Sequence, residues 1–182
     1  MTVATHQDIA RAGYGVEAED EGTWGVHWKA AYYAGDWTAE EIDGGAAGPP
    51  TEVRDADGNI LVTAGITLLL NLLIGAGGTV YSNANAYLGI GDSTTAAAIG
   101  QTDLQASTNK VRHAMDATYP SVSSNVVTFR STFATSEGNF SIQEQATFNA
   151  SSSGTMLNRK VSDLGTKTSA STLQLTMQIT IT

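Results

Sequence analysis

Hydrophobic and polar residues alternate without interruption near the C-terminal end of the chain. Leu173, Leu175, Met177, Ile179 and Ile181 fall on one side, and Thr172, Gln174, Thr176, Gln178 and Thr180 on the other. Successive side chains of a strand point to opposite faces, so the pattern predicts a strand with one face in a core and one polar face. Period two recurs over residues 126–133, which bring Val127, Phe129 and Phe133 together, and over 140–149 through Phe140, Ile142, Ala146 and Phe148. Shorter stretches at 87–90 and 110–117 read the same way. The register of 140–149 sets Glu144 on an apolar face, where a carboxylate requires a cation or hydrogen-bond donors. Arg112, Arg130 or the backbone of a turn are the expected partners.

One segment has helical spacing. Ile66, Leu69, Leu70 and Leu73 recur at i, i+3, i+4 and i+7, with Leu68 and Leu72 widening the stripe. Thr63 stands where a cap would, and Gly75-Ala76-Gly77-Gly78 supplies a stop, so a short and mostly buried helix is expected. Residues 51–62 read as a hairpin around Asp55-Ala56-Asp57-Gly58-Asn59. That turn does not match a calcium loop, because its glycine is fourth rather than sixth and Ile66 occupies the twelfth position.

Gly44-Gly45-Ala46-Ala47-Gly48-Pro49-Pro50 breaks the pattern and divides the chain. Residues 1–50 are expected to form an acidic, aromatic-containing N-terminal arm, and 51–182 a β-rich globular domain. Residues 23–37 hold all three tryptophans, and Trp24, Val26, Trp28 and Ala30 alternate with Gly25, His27 and Lys29. Aromatics this dense either build a core or anchor an interface. Trp24, Trp28, Tyr32, Tyr33 and Trp37 are the candidate interface residues. The fold class predicted is mainly β, an antiparallel β-sandwich or jelly-roll-like domain with one short buried helix and an extended arm.

Charge narrows the partners. The net charge is −9, with nine acidic and two basic residues in 1–50 (net −7) and nine acidic and seven basic in 51–182 (net −2). Such a chain gains no counterion release on DNA and is repelled by phosphate, so neither nucleic acid nor an anionic membrane is an expected partner. No cysteine is present, and His6, His27 and His113 lie far apart in sequence. The opening residues lack the features of a secretory signal, and the apolar stretch around residues 66–74 is too short to span a bilayer. Synthesis in a cytoplasm is expected.

The candidate chemistry is thin. Gly89-Ile90-Gly91 is followed by Thr94 where a dinucleotide loop would have its third glycine, and it reads as a turn. Gly91-Asp92-Ser93 lacks the strand–turn–helix setting of a nucleophile elbow. Glu40-Glu41 and the Asp55/Asp57 pair have no apolar pocket to separate their pKa values. The sequons at Asn139 and Asn149 matter only after secretion. No catalytic residue, cofactor or metal ligand is expected, and the chain reads as a binding protein.

Several blocks resemble small structural proteins of tailed-bacteriophage virions. They are Gly58, Asn59, Leu61, Val62, Thr63, Gly65, Leu68, Leu69 and Leu72; residues 85–94 (Asn-Ala-Tyr-Leu-Gly-Ile-Gly-Asp-Ser-Thr); and Gln101-Thr102-Asp103-Leu104. Further blocks are Arg112, Ala114, Met115, Asp116, Tyr119 and Pro120; residues 127–133 (Val-Thr-Phe-Arg-Ser-Thr-Phe); and residues 154–161 (Gly-Thr-Met-Leu-Asn-Arg-Lys-Val). Where relatives carry a tryptophan-containing block, this chain has Ser141-Ile142-Gln143-Glu144-Gln145-Ala146. The resemblance spans roughly residues 57–180 and implies a virion component. It implies most directly a decoration or cement protein on the capsid exterior, binding the major capsid protein and copies of itself, often as a homotrimer. A tail component (fibre base, collar or baseplate protein) and a host-surface carbohydrate-binding module are the alternatives.

Overall fold

The alternating C-terminal segment forms β10 (Ser171–Ile181), whose apolar side is buried from Leu173 to Ile179. In the computed structural model, which describes residues 23–182, β10 is the middle strand of a five-stranded sheet. It pairs antiparallel with β7 (Val126–Phe133) on one side and β1 (Trp24–Ala34) on the other. Beyond β1 lies β2 (Glu52–Asp57), and beyond β7 lies β6 (Ser121–Ser123). A second five-stranded sheet runs in the order β3 (Ile60–Leu61), β9 (Met156–Val161), β8 (Glu144–Phe148), β4 (Tyr87–Gly91), β5 (Lys110–Ala114). Its pairings are antiparallel too. Two short helices complete the elements, α1 (Ala39–Asp43) and α2 (Thr63–Leu73). The expected mainly-β sandwich is the observed architecture.

Register explains the core. Trp28 stands opposite Met177, which stands opposite Phe129, and Tyr32, Leu173 and Phe133 form a second such row. Leu88 and Ile90 of β4, Leu157 of β9, and Ile142 and Leu164 from the connecting segments join the same cluster. Asn158 of β9 reaches across the sandwich, its Nδ2 4.0 Å from the Met177 sulfur. Interdigitation of this kind is what two twisted sheets with apolar inner faces produce.

Four expectations need correction. Residues 24–34 are not part of an arm: β1 is an interior strand, because Trp24, Val26, Trp28, Ala30 and Tyr32 supply the apolar face that β10 requires beside it. The acidic stretch 1–22 lies outside the described residues. Residues 51–62 are not a hairpin either. β2 pairs with β1 in one sheet and β3 with β9 in the other, and the chain crosses between sheets at Gly58, whose φ is +78°. The strand expected over 87–90 is observed as Tyr87–Gly91, so the reading of Gly89-Ile90-Gly91 as a turn does not hold.

The fourth correction concerns α2. It buries Gly65 and Leu68 and half-buries Leu69 and Leu72, the same i, i+3, i+4, i+7 spacing as expected but one residue earlier. Gly65 sets that choice. A Cβ there would lie 2.4 Å from the Leu157 carbonyl oxygen, so only a glycine lets the helix rest on β9. Thr63 does not cap it; the cap is Val62, with no side-chain bond. The C-terminus closes as expected on Gly75, φ +71°, with the Gly75 and Ala76 N–H groups donating to Leu72 and Asn71.

This packing gives opposite expectations for two large side chains. Trp28→Ala, in the centre of the sandwich, should lower unfolding stability by about 3–5 kcal/mol. Leu73→Ala, at the exposed end of α2, should change it by less than about 0.5 kcal/mol in dilute solution. Guanidinium titration of both variants checks the pair, and equal losses would contradict the placement of α2.

Candidate functional site

The inner strands β4, β8 and β9 of the second sheet are buried on both faces, which a two-layer sandwich alone does not require. Its outer face is covered by residues 92–109, a long connection without regular structure. Glu144 of β8 and Arg159 of β9, both fully buried, hold this strap down. Arg159 Nε and Nη2 each lie 2.7 Å from Glu144 Oε2. Glu144 also accepts from the Gln105 N–H at 2.9 Å and the Ala106 N–H at 2.7 Å. Arg159 donates onward to the Thr95 carbonyl at 2.9 Å and to Gln101 Oε1 at 3.0 Å. The partner of Glu144 is thus Arg159 and a backbone turn, not Arg112 or Arg130.

Glycines make room for this arrangement. A Cβ on Gly91 would fall 2.5 Å from Glu144 Oε1, and one on Gly89 would fall 2.8 Å from the Phe148 ring and 3.1 Å from Leu104. Leu104 fills the second apolar cluster with Val62, Ala146, Phe148 and Met156. Arg112 lies 3.5 Å from the Phe148 ring centroid and bonds Asp103 at 2.8 Å. Burial would raise the Asp103 carboxyl, but donation from Lys110 and Arg112 outweighs it and holds the group below its ordinary range.

A groove of about 540 Å³ opens on the other side of the molecule, lined by Asp36, Trp37, Glu40, Glu41, His113 and Asp116 among others. Apart from the exposed Glu40, its ionisable groups are engaged with neighbouring side chains or with the backbone. Asp116 Oδ2 accepts from Arg130 Nε at 2.8 Å and from the Thr132 hydroxyl at 2.9 Å. Arg130 also forks onto Asp43 of α1 at 2.8 and 2.6 Å, a bidentate pair that clamps the helix over the sheet. Asp36 accepts from the Thr135 N–H, which holds its carboxyl below the usual range. Glu41 closes a capping box with Thr38, and His113 pairs with Glu137 at 2.7 Å. This is the chemistry of a clasp. Among the described residues no three His, Asp or Glu side chains gather where they could share a metal ion.

The five candidate interface residues do not form a surface. Trp28, Tyr32 and Tyr33 are buried within the chain, and Trp24 packs half-buried against the core. The Tyr32 hydroxyl donates to the Leu164 carbonyl at 2.5 Å, and burial, with Glu52 nearby, pushes the phenol well above its ordinary range. Trp37 is half-buried, its Nε1 donating to the Ala34 carbonyl at 2.7 Å, and it alone lines the groove. The uncovered large apolar side chains lie elsewhere: Val53 of β2, Ile60 of β3, Leu70, Leu73 and Ile74 at the end of α2, Val80, Ile99, and Val122 with Ile181 at one end of the first sheet. Helical periodicity pointed to Leu70 and Leu73 as core, and no signal in the pattern marked them as exposed.

Comparison with protein-family models, with curated proteins and with solved structures finds no match for this chain.

Two expectations follow from the strap. Glu144→Ala leaves the Arg159 guanidinium buried and unpaired, and should cost about 3–5 kcal/mol. Adding Arg159→Met should restore only part of this, because the Gln105 and Ala106 N–H groups still lack an acceptor. Chemical denaturation of the single and double variants measures both, and full recovery in the double variant would show that the backbone contacts contribute nothing. The second expectation concerns acid. The depressed Asp103 carboxyl contributes stability that is present above its unfolded value of about 3.9 and is lost as pH falls through the lower folded value. Hydrogen exchange in residues 92–109 should accelerate in that window and lose the dependence in Asp103→Asn; an unchanged acid profile in the variant would remove Asp103 from the account.

Proposed function

We propose that this chain is a structural protein of a tailed-bacteriophage virion, acting as a decoration or cement protein on the capsid exterior that binds the major capsid protein and copies of itself. The observation that carries the reading is an acidic β-sandwich that leaves large aliphatic side chains uncovered, among them Leu70, Leu73 and Ile74 at the end of α2 and Val122 with Ile181 at one end of the first sheet. Exposed apolar clusters of this kind mark contact surfaces. The resemblance of residues 57–180 to phage structural proteins supplies the assembly in which such surfaces are covered.

The mechanism is additive burial. Aliphatic contact contributes roughly 25 cal/mol per Å² before association costs, so several hundred Å² per copy amounts to several kcal/mol. Repeated over a shell, that resists pressure from a packaged genome. The acid-rich exterior favours docking beside lysine and arginine patches of the shell. With Trp28, Tyr32 and Tyr33 occupied in the core, these contacts fall to α2 and to the Val122–Ile181 end of the sheet.

Copy number tests the reading. In purified particles, quantitative mass spectrometry should give a ratio to the major capsid protein near one to one, or one trimer per threefold site. A handful of copies per particle would overturn the head assignment and move the chain to the tail.

A further inference from the structure

We propose that Lys167 and Asn139 form a self-modification site, at which the folded chain makes an amide bond between the two side chains and releases ammonia. The inference stands apart from the virion reading. Lys167 lies in the connection between β9 and β10 and is 1% exposed. Among the described residues its Nζ has a single hydrogen-bond partner, the Asn139 side-chain oxygen at 3.0 Å, and no carboxylate within ion-pair distance. An ammonium so placed is costly, because burial disfavours its charge and a neutral amide does not compensate for it. Burial holds the amine below the ordinary lysine range, against the opposing pull of Glu137 and Asp36. A desolvated, less protonated lysine is a nucleophile, and the group it faces is a carboxamide.

The backbone keeps the two together. The Lys167 N–H donates to the Phe140 carbonyl at 3.1 Å, and the preceding Thr166 bridges to Ser141. On the other side, the turn after β7 closes through the Glu137 N–H on the Ala134 carbonyl at 3.1 Å. Asn139 Nδ2 donates to the Thr135 carbonyl at 2.8 Å, which fixes the plane of the carboxamide and turns its oxygen toward Lys167. The carbon to be attacked is one bond from the atom that already receives the amine's hydrogen. Amines and primary amides react slowly in free solution, and positioning of this kind is what makes such a step intramolecular.

The step balances without a second reactant. The lone pair of the neutral Lys167 amine forms the Nζ–Cγ bond as the carbonyl electrons move onto Oδ1. They return as the Cγ–Nδ2 bond breaks, and one Nζ proton passes to Nδ2, which departs as ammonia. Asn139 is exposed as a residue, so the ammonia has a way out. Glu137 lies two residues before Asn139 in the same turn, pairs with His113 at 2.7 Å, and is the carboxylate whose charge bears most on the amine. Its role is to relay the proton from Nζ to Nδ2. The product is neutral, which removes the buried charge, and it ties the β7–β8 connection to the β9–β10 connection.

Intact mass spectrometry of the full chain tests the site. The wild type should be lighter than its sequence by one ammonia molecule, and proteolysis should yield one branched peptide carrying both Asn139 and Lys167. Lys167→Met and Asn139→Ala should each show the full sequence mass. Asn139 is exposed, so its variant keeps the fold, which circular dichroism checks. Glu137→Gln should slow the loss of ammonia by about 100-fold or more after synthesis. A wild type at full mass would overturn the proposal. So would a loss of ammonia that persists in Lys167→Met, because it would then come from an asparagine cyclising on its own backbone. Loss at an unchanged rate in Glu137→Gln would retain the bond and strike Glu137 as its relay.

Discussion

A carboxylate and a guanidinium, both fully buried on the outer face of the second sheet, hold the form of this molecule together. Taking two charges out of water is expensive, and it is tolerated only when geometry and further hydrogen bonds satisfy both groups. Glu144 and Arg159 meet that condition by engaging the strap of residues 92–109 from two directions, the acid through backbone N–H groups and the base through a carbonyl and an amide. Without the strap the two ions would keep only each other, and without the ions the strap would be held only by Leu104, by the Asp103 pairs and by the Ile99 carbonyl. Gly89 and Gly91 are part of the same constraint, because side chains there would occupy the space that Leu104 and Glu144 fill.

The opposite side of the sandwich repeats the logic with less burial. Arg130, on the outer face of the first sheet, joins Asp116 to Asp43 and so fastens α1 across strands that would otherwise expose Tyr33. Each face of the sandwich is thus covered in part by a segment outside the sheets that an arginine pins, the strap on one side and α1 on the other. Beside the exposed charged residues, Leu70, Leu73 and Ile74 of α2 remain uncovered.

Much of the fold was legible from periodicity. The strands at 126–133 and 171–181, the sandwich class and the burial of Glu144 all followed from alternation, since a strand with one buried face must alternate. The partner of Glu144 was not legible. Arg159 lies in a different strand, and only the β8–β9 register brings the two together. The aromatic segment was ambiguous for a similar reason: Trp28 and Tyr32 look alike as core or as interface until β10 is known to lie beside them.

The sequence by itself determined which segments alternate, where the helix stops, and that the chain is acidic and free of cysteine, because these are local properties of neighbouring residues. Tertiary structure alone decided which sheet each strand joins, sending β2 and β3 to opposite layers across Gly58. It also decided which side of α2 is buried. Leucines surround that helix, so hydrophobic pattern could not choose a side, and the stripe beginning at Ile66 was as good as the one beginning at Gly65. The choice fell to the missing side chain of Gly65, which permits contact with the Leu157 backbone and turns Leu70, Leu73 and Ile74 outward.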